Sequence, residues 1–394
     1  MIPAARVQAA IELLDQVIEA AKREGAPADR LIAAYFKQRR YAGSKDRRAV
    51  RDLVYAVIRA IGPVPANGRA AMIAYGSQAA NGHILDCFDG SPHGPARLET
   101  GAVIAEPGIA PAWLVAELRA SGLDNDGMAA MLGRAPLDVR VNTLKTSREA
   151  LVLPEVGEPL AAPNALRFDT GTSVEQWPAY AEGQIEVQDQ GSQLACHAAD
   201  ARPGETVIDL CAGAGGKTLS LAAQMQNQGR LIACDTDRGR LSKLGPRAER
   251  AGAGMIETVL LNPNAELDML AEHHASADLV LVDAPCSGTG TWRRKPEAKW
   301  RLTPESLRAY SGLQDRLLDI SVRLVKPGGR IVFITCSLLD AEGADRVTAF
   351  GERWPAFTAV TPDLPLGMPR GKGIRLDPFQ HGTDGFFIAM LRSA

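Results

Sequence analysis

Two cysteines and one aspartate follow apolar stretches of the kind that form buried parallel strands. Asp283 and Cys286 come soon after residues 279–282, and Cys336 comes directly after residues 330–335. Neighbouring strands of a doubly wound sheet open at their carboxyl ends onto one crevice, so we expect both thiols and the carboxylate to face the same cavity. Two inert cysteines at strand ends would give the same pattern.

These groups suit one kind of chemistry, the transfer of a methyl group to carbon 5 of a pyrimidine. That carbon is too weak a nucleophile to react unaided. A thiolate that adds to carbon 6 makes carbon 5 nucleophilic, and a base later removes the carbon 5 proton so that the thiol can leave. The side chains of Cys286, Cys336 and Asp283 therefore indicate a covalent mechanism.

A glycine-rich turn joins an apolar strand at residues 207–210 to a helix with an apolar face. Such a turn lets the backbone approach a ligand, and its free N–H groups suit a polar or anionic cofactor group. The residues of this predicted cofactor loop are Cys211, Ala212, Gly213, Ala214, Gly215, Gly216 and Lys217.

Three ligands could bind to this turn. A dinucleotide fingerprint needs a third glycine where Thr218 stands, and a phosphate-binding loop needs its first glycine where Cys211 stands. S-adenosylmethionine remains, because Asp235 ends the next strand about 20 residues further on and is placed to hold the ribose hydroxyls. The alternative role for Asp235 is the N-cap of the following helix.

Alternating strands and helices must position these residues. The apolar stretches predict a doubly wound, Rossmann-like α/β sheet with strands at 207–210, 231–234, 257–261, 279–282, 330–335 and 385–391. Residues 326–329, with the sequence Lys-Pro-Gly-Gly, predict a turn before the fifth of these strands. Residues 188–193 predict the start of the helix that leads into the first strand.

The residues before this sheet have different apolar patterns. Helical apolar spacing at 7–23 and 47–61 predicts a helical region, and residues 139–144 and 165–168 predict strands of a smaller sheet. We therefore predict a helical domain at 1–110, a small α+β domain at 111–195 and a catalytic domain at 196–394. Residues 62–111 are expected to form short helices and loops.

Composition limits the class of protein. A hydrophobic share of 46% with 23% charged residues is typical of an ordered chain, and no apolar run is long enough to cross a bilayer. The N-terminus lacks the apolar core of a signal peptide, so the prediction is a cytoplasmic protein without a membrane partner. The six cysteines form no C-x-x-C pair, so we expect no metal. The sequence does not define the oligomeric state, for which a monomer is our working assumption.

Two segments concentrate positive charge although the net charge is −2. Residues 37–51 carry seven basic residues against one acid, which fits either a solvated helix face or a nucleic-acid surface. Residues 292–301, which include Trp292 and Trp300, carry five basic residues against one acid. Basic side chains beside aromatic rings suit phosphates and unstacked bases, so the second segment is the stronger candidate for RNA contact.

Several motifs in order resemble the Sun/Fmu-type RNA cytosine-C5 methyltransferase family. The likeness covers about residues 130–394, and its motifs are Asp209-Leu-Cys-Ala-Gly-Ala-Gly-Gly-Lys217, Asp283-Ala-Pro-Cys-Ser-Gly-Thr-Gly290, Thr335-Cys-Ser337, Gly382-Thr-Asp-Gly-Phe-Phe387, Arg140-Val-Asn-Thr-Leu-Lys145 and Gln188-Asp-Gln-Gly-Ser-Gln193. The resemblance implies a fold in which an S-adenosylmethionine-binding sheet acts on RNA.

The same resemblance assigns roles to residues. It implies that Cys336 is the nucleophile and that Cys286 assists release of the methylated RNA, with Asp283 and Lys217 in the same catalytic group. It implies that the loop 211–217, Asp235 and Asp283 surround the cofactor and the target base. The family commonly has an acidic residue near the adenine where this chain has Asn262, whose amide we expect to make that contact.

The N-terminal residues 44–59 are loosely similar to the NusB-like RNA-binding domain of family members that act on small-subunit ribosomal RNA. The expectation is therefore a 5-methylcytosine methyltransferase acting on ribosomal RNA, with transfer RNA as the alternative substrate. A P-loop nucleotidase and a non-catalytic RNA-binding scaffold are the rival classes.

Overall fold

The computed structural model describes residues 1–23 and 25–393, which separate into two compact units. Unit 1 contains Met1–Gly133 and Thr291–Pro304, and unit 2 contains Arg134–Gly290 and Glu305–Ala394. The boundary at Gly133 falls inside the range 111–195. Because compactness alone defines these units, the division into domains at 1–110, 111–195 and 196–394 stays a prediction.

Unit 1 is helical, as the apolar spacing predicts. The first helix starts at Pro3 rather than at residue 7, because proline already has the helical φ and needs no N–H partner at that position. Its Leu13, Leu14 and Val17 are fully buried in the unit's core. The helices are α1 Pro3–Lys22, α2 Ala28–Gln38, α3 Ser44–Ala60, α4 Gly68–Gly76, α5 Ala112–Ala120 and α6 Asn125–Ala130, with 3₁₀ helices at Ala79–Cys87 and Pro296–Trp300.

A small antiparallel sheet opens unit 2. Its strands are β1 Leu137–Val141, β2 Glu158–Pro159, β3 Ala165–Phe168 and β4 Ile185–Val187, in the order β2-β3-β1-β4, with the short helix α7 Pro178–Ala181 before β4. β1 ends before residue 144 because Asn142 leaves the sheet, its side-chain amide donating to the carbonyl oxygens of Gly183 and Ala251, both at 2.8 Å. Helix α8, Gln190–Ala199, follows as predicted.

The second sheet of unit 2 has nine strands among the described residues. The strands are β5 Thr206–Asp209, β6 Arg230–Asp235, β7 Ile256–Leu260, β8 Ala277–Asp283, β9 Val325–Thr335, β10 Phe357–Val360, β11 Met368–Arg370, β12 Gly373–Leu376 and β13 Phe386–Ser393. The helices that alternate with these strands are α9 Gly216–Gln224, α10 Arg238–Leu241, α11 Leu244–Ala251, α12 Glu266–Met269, α13 Pro304–Leu324, α14 Ala344–Arg353 and α15 Pro378–His381.

The strand order β11-β12-β13-β9-β8-β5-β6-β7, with β10 also paired to β13, confirms the predicted Rossmann-like sheet. Strands β7, β6, β5, β8 and β9 are mutually parallel, and β13 runs antiparallel to β9. The central strands are fully buried because helices pack on both faces of a parallel sheet. Val207, Ile208 and Val280 have no exposed surface.

Two expectations about this sheet need correction. The turn predicted at 326–329, before the fifth strand, lies inside β9, which begins at Val325. Val325 pairs with Ala277 of β8 and Arg330 pairs with Leu279, so the register shifts across these four residues. That irregularity accommodates Gly328, whose φ is +73°. The short strands β10, β11 and β12 carry no strong apolar alternation, so the sequence does not predict them. Pairing with β13 and its neighbours, rather than local propensity, forms them.

The topology determines which strand ends meet. β8 lies between β5 and β9, with Asp283 in register with Ile334. The loops after these strands therefore start at the same edge of the sheet, as predicted for the cysteine-bearing segments.

Candidate active site

The two predicted catalytic cysteines are in direct contact. The Sγ atoms of Cys286 and Cys336 lie 3.4 Å apart, within hydrogen-bonding distance for sulfur. The hydrogen bond between the two thiols lowers the pKa of Cys336, although burial opposes this, while the same hydrogen bond and burial raise the pKa of Cys286. The pair thus favours a thiolate on Cys336 and a proton on Cys286.

A lysine–aspartate ion pair lies in the same group. The Lys217 ammonium nitrogen is 2.7 Å from Oδ2 of Asp283 and 5.4 Å from the centre of the Phe386 ring. Burial disfavours the ammonium, but the Asp283 carboxylate outweighs this effect and raises the pKa of Lys217 above its usual value. Lys217 therefore stays positively charged, and its charge also contributes to the lowered pKa of Cys336.

A buried glutamate behind the cysteines was not found from the sequence. Glu342 is fully buried and accepts hydrogen bonds from the Ser287 backbone N–H at 2.8 Å and from the Ser287 hydroxyl. The hydroxyls of Ser287 and Ser337 are 3.2 Å apart. Because each serine directly follows one cysteine, this network fixes both loops. Burial raises the pKa of Glu342 although these bonds oppose the shift.

The glycine turn adopts the conformation that its sequence predicts. Gly215 has a φ of +86°, and a Cβ at that position would collide with Leu244. The backbone N–H of Gly213 donates to Oδ2 of Asp235 at 2.7 Å, and the N–H of Asp237 donates to Oδ1 at 2.7 Å. Asp237, rather than Asp235, caps helix α10 through the N–H of Arg240. The alternative N-cap role of Asp235 is therefore wrong, and its carboxylate joins the turn to the end of β6.

A cavity of about 270 Å³ lies at this edge of the sheet. It is lined by five of the predicted site residues, namely Cys211, Asp235, Asp283, Cys286 and Cys336. The other predicted loop residues, Ala212, Gly213, Ala214, Gly215, Gly216 and Lys217, are not part of its lining, although Lys217 reaches it through Asp283. Asn262 is not in the lining either, and its side chain is exposed.

The structure adds residues that the sequence did not single out. The lining also includes Leu210, Thr236, Asp237, Arg240, Leu261, Glu266, Ala284, Pro285, Leu313 and Leu317. Glu266 is the most unusual of them because it is a carboxylate that is only 5% exposed. No local signal distinguishes it, since it lies in an ordinary acidic helix start.

The RNA contact predicted for the tryptophans of residues 292–301 is wrong. Trp292 has no exposed surface and Trp300 is only 4% exposed, so neither ring is available to stack on a base. Trp300 belongs to the core of unit 1 and donates to the Gly62 carbonyl oxygen at 3.2 Å. Lys299 is fully buried as well, and burial lowers its pKa to about 7.

The basic segment 37–51 lines an open cleft of about 740 Å³ within unit 1. Its cationic residues are Lys37, Arg47, Arg48 and Arg51, opposed by Asp29 alone. The aromatic rings of Phe36 and Tyr55 complete the lining. This arrangement favours the interpretation of the segment as a nucleic-acid surface over its interpretation as a solvated helix face.

The described residues also bear on metal ions and membranes as partners. Among residues 1–23 and 25–393, no cluster of three or more histidine, cysteine or acidic side chains has the arrangement of a metal site. In the same part of the chain, every helix is too short or too polar to span a bilayer.

A Rossmann-like sheet with a glycine turn, an acid at the second strand end and two adjoining cysteines defines a methyltransferase class. A family model described as 16S rRNA methyltransferase RsmB/F matches residues 197–392. The chain is 33% identical to the ribosomal RNA small subunit methyltransferase B of Xanthomonas campestris pv. campestris, over 76% of this chain and 70% of that protein. The chain belongs to the RsmB/F family, which confirms the predicted resemblance.

A second relative and a solved structure are also similar to this chain. The probable ribosomal RNA small subunit methyltransferase B of Synechocystis sp. is 34% identical over 69% of this chain, and the match spans only 63% of that relative's length. The crystal structure of PH0851 superposes with a TM-score of 0.75 at 25% identity, covering 99% of each chain. Family membership confirms S-adenosylmethionine as the cofactor predicted from the sequence.

Proposed function

We propose that this protein forms 5-methylcytosine in small-subunit ribosomal RNA through a covalent bond between Cys336 and carbon 6 of the target cytosine. The observation that carries the proposal is the contact of 3.4 Å between the sulfurs of Cys286 and Cys336 in the cavity lined by Asp283. Bound S-adenosylmethionine would supply the methyl group, and we assign its binding to Asp235 and to the 211–217 turn, of which Cys211 lines the cavity.

Cys336 is the better nucleophile of the two thiols. Thiolate, not thiol, attacks carbon, and the hydrogen bond from Cys286 together with the Lys217 charge lowers the pKa of Cys336. Cys286 has the opposite tendency, because its pKa is raised. Addition of the Cys336 thiolate to carbon 6 makes carbon 5 electron-rich enough to take a methyl group.

Asp283 is suited to orient the cytosine. Its Oδ2 is held by Lys217, and its side chain remains 31% exposed at the cavity. A carboxylate fixed in this way can accept a hydrogen bond from the exocyclic amino group of cytosine, which uracil lacks. Lys217 then acts as a positioning residue for Asp283.

Cys286 is suited to the last step. A base takes the proton from carbon 5, and the electrons of that bond form the double bond between carbons 5 and 6. The bond between carbon 6 and the Cys336 sulfur breaks at the same time, and its electrons return to that sulfur as a thiolate. A thiol 3.4 Å away donates a hydrogen bond to the departing thiolate and so favours its release. The same contact therefore supports both the attack and the departure of Cys336.

The names of the relatives favour ribosomal over transfer RNA, and the basic cleft of unit 1 supports an RNA substrate. A ribosomal substrate also agrees with the cytoplasmic location predicted from the sequence. The rival nucleotidase function has less support, because Lys217, which would bind the phosphates, is paired with Asp283.

Bisulfite sequencing of RNA tests this proposal. Cells that lack the protein should lose one or more 5-methylcytosines from small-subunit ribosomal RNA, and wild-type protein but not the Cys336→Ala variant should restore them. A loss confined to transfer RNA would change the substrate. No change in any cytosine, with ATP hydrolysis by the purified protein, would favour the nucleotidase.

A further inference from the structure

The cavity contains a buried carboxylate, Glu266, that the proposed chemistry does not use. Glu266 is the first residue of α12 and is 5% exposed. Burying a carboxylate is costly unless its charge and lone pairs are satisfied. Its presence in the cavity lining therefore needs a partner or a ligand to account for it.

Protein groups satisfy only one of the two carboxylate oxygens of Glu266. Its Oε2 is paired with the guanidinium of Arg316, which offsets the charge and orients the carboxylate. Its Oε1 accepts no hydrogen bond among the residues that the structure describes. Glu266 thus presents an oriented acceptor that the fold itself leaves open.

The sheet order locates this acceptor within the cavity. From one end to the other, the strands that reach it are β7, β6, β5, β8 and β9. Cys286 and Cys336 follow β8 and β9, Asp235 ends β6, and Leu261 and Glu266 follow β7. The thiols and Glu266 are therefore at opposite ends, with Asp235 between them.

This order matches the order of groups in S-adenosylmethionine. The sulfonium must lie near the reacting base, the ribose hydroxyls suit Asp235, and the purine lies beyond the ribose. At the β7 end of the cavity, Leu261 directly follows the strand, and Leu317 directly follows Arg316, the partner of Glu266. Both leucines belong to the lining, and their apolar side chains suit the faces of a purine ring. Glu266 is the carboxylate in the lining at that end.

We propose that Glu266 recognises the 6-amino group of the cofactor's adenine, the role that the sequence analysis assigned to Asn262. An ionised carboxylate only accepts hydrogen bonds, so it binds an amino group and repels the carbonyl oxygen at the same position of hypoxanthine. Arg316 positions Glu266 without touching the cofactor. This inference rests on the proposed cofactor site but not on the identity of the methylated RNA base.

Calorimetric binding of two cofactor analogues tests the proposal. S-adenosylhomocysteine carries the amino group, and S-inosylhomocysteine carries a carbonyl oxygen in its place. The wild-type protein should bind the adenosyl compound about 10- to 100-fold more tightly, the range expected for a charge-assisted hydrogen bond. Glu266→Gln should lose most of this preference, because its amide can donate to the carbonyl oxygen.

Asp268→Asn is the matched control, because Asp268 is exposed on the same helix and outside the cavity lining. It should keep the wild-type preference. The ratio of the two affinities separates recognition from general loosening, since a loosened site weakens both compounds alike. If Glu266→Gln keeps the wild-type ratio, whether or not its affinity for both compounds falls, the inference is overturned.

Asp235→Ala separates this inference from the cofactor site itself. It should weaken both compounds while keeping their ratio, because the ribose is common to them. If Asp235→Ala binds both compounds like wild type, the proposed cofactor site fails. If Asp235→Ala weakens them and Glu266→Gln keeps the wild-type ratio, only the adenine assignment fails.

Discussion

Cys286 and Cys336 meet through their sulfur atoms, 3.4 Å apart, although 50 residues separate them in the chain. Each cysteine follows a strand of the same parallel pair, β8 and β9, and each precedes a serine of the Glu342 network. The rigid sheet and the buried glutamate therefore fix the distance between two thiols of different acidity. In the proposed mechanism this difference in pKa gives the two thiols different roles, which experiments can separate.

Removing Cys286 should trap a covalent intermediate. In Cys286→Ala, Cys336 can still add to carbon 6, but its departure loses the hydrogen bond that stabilises the thiolate. After incubation with radiolabelled ribosomal RNA and cofactor, a denaturing gel should show a protein–RNA adduct. Cys336→Ala and the double variant should show none.

The opposite pattern would reverse the assignment. An adduct from Cys336→Ala but none from Cys286→Ala would make Cys286 the nucleophile. A Cys286→Ala variant that loses little activity and traps no adduct would indicate that this thiol only packs beneath the Asp283 loop. Cys196→Ala is a suitable control, because Cys196 is a buried cysteine outside the cavity lining.

Removing Cys336 should abolish methylation without affecting the cofactor. We expect Cys336→Ala to lose at least about a thousandfold in kcat, since no other residue forms the bond to carbon 6. Calorimetry with S-adenosylhomocysteine should give the wild-type affinity, which shows that the cavity is intact. Turnover close to wild type would contradict the nucleophilic role of Cys336.

Replacing Lys217 should move the pH dependence of the reaction. The Lys217 charge favours the Cys336 thiolate, so Lys217→Met should raise the pKa of Cys336. The rise of kcat with pH should then move to higher pH. Mass spectrometry of the Cys336 peptide after iodoacetamide treatment provides an independent measure, because only the thiolate is alkylated.

Lys243→Met is the control, because Lys243 is exposed and lies outside the cavity lining. It should not change the pH dependence of kcat or the pH dependence of Cys336 alkylation. If Lys217→Met also leaves them unchanged, the lowered pKa of Cys336 arises from the Cys286 hydrogen bond alone.

Asp209 should make stability depend on pH. Burial raises the pKa of this carboxyl from 3.8 to about 7, although a hydrogen bond from Thr218 opposes the shift. Between these values the folded protein holds a proton that the unfolded chain releases, so the free energy of unfolding falls as pH rises. Asp209→Asn should remove this fall, which amounts to at most about 4 kcal/mol.

Urea denaturation across that pH range measures the effect. Asp345→Asn, at an exposed aspartate, should follow the wild-type pH dependence. If the free energy of unfolding falls with pH equally in wild type and Asp209→Asn, then Asp209 does not take up a proton on folding.

The sequence predicted well those features that depend on short stretches of chain. Apolar runs identified the buried parallel strands β5, β6, β8 and β9, because a strand buried on both faces must be apolar at successive positions. The edge strand β7, which is partly exposed, was predicted at 257–261 and lies at Ile256–Leu260. The turn at Gly213 and Gly215 was equally evident, since positive φ favours glycine. Each cysteine could be assigned to a strand end, and the parallel order then brought Cys286 and Cys336 to one edge.

The sequence was less informative where one stretch must be packed against another. The tryptophans of residues 292–301 have the composition of an RNA-binding surface, yet Trp300 fills the helical core of unit 1. Glu266 and Glu342 look like ordinary surface acids in the sequence, and only their burial beside Arg316 and Ser287 distinguishes them.

What the sequence alone determined was therefore the family, the cofactor class and the two cysteines that meet at one edge of the sheet, because glycine, cysteine and apolar patterns report local geometry. Only the tertiary structure decided which thiol has the lowered pKa and which carboxylates reach the cavity. Burial and hydrogen bonding shift the pKa of a group through contacts between residues far apart in the chain, such as Cys286 with Cys336. Those contacts exist only once the strands have paired.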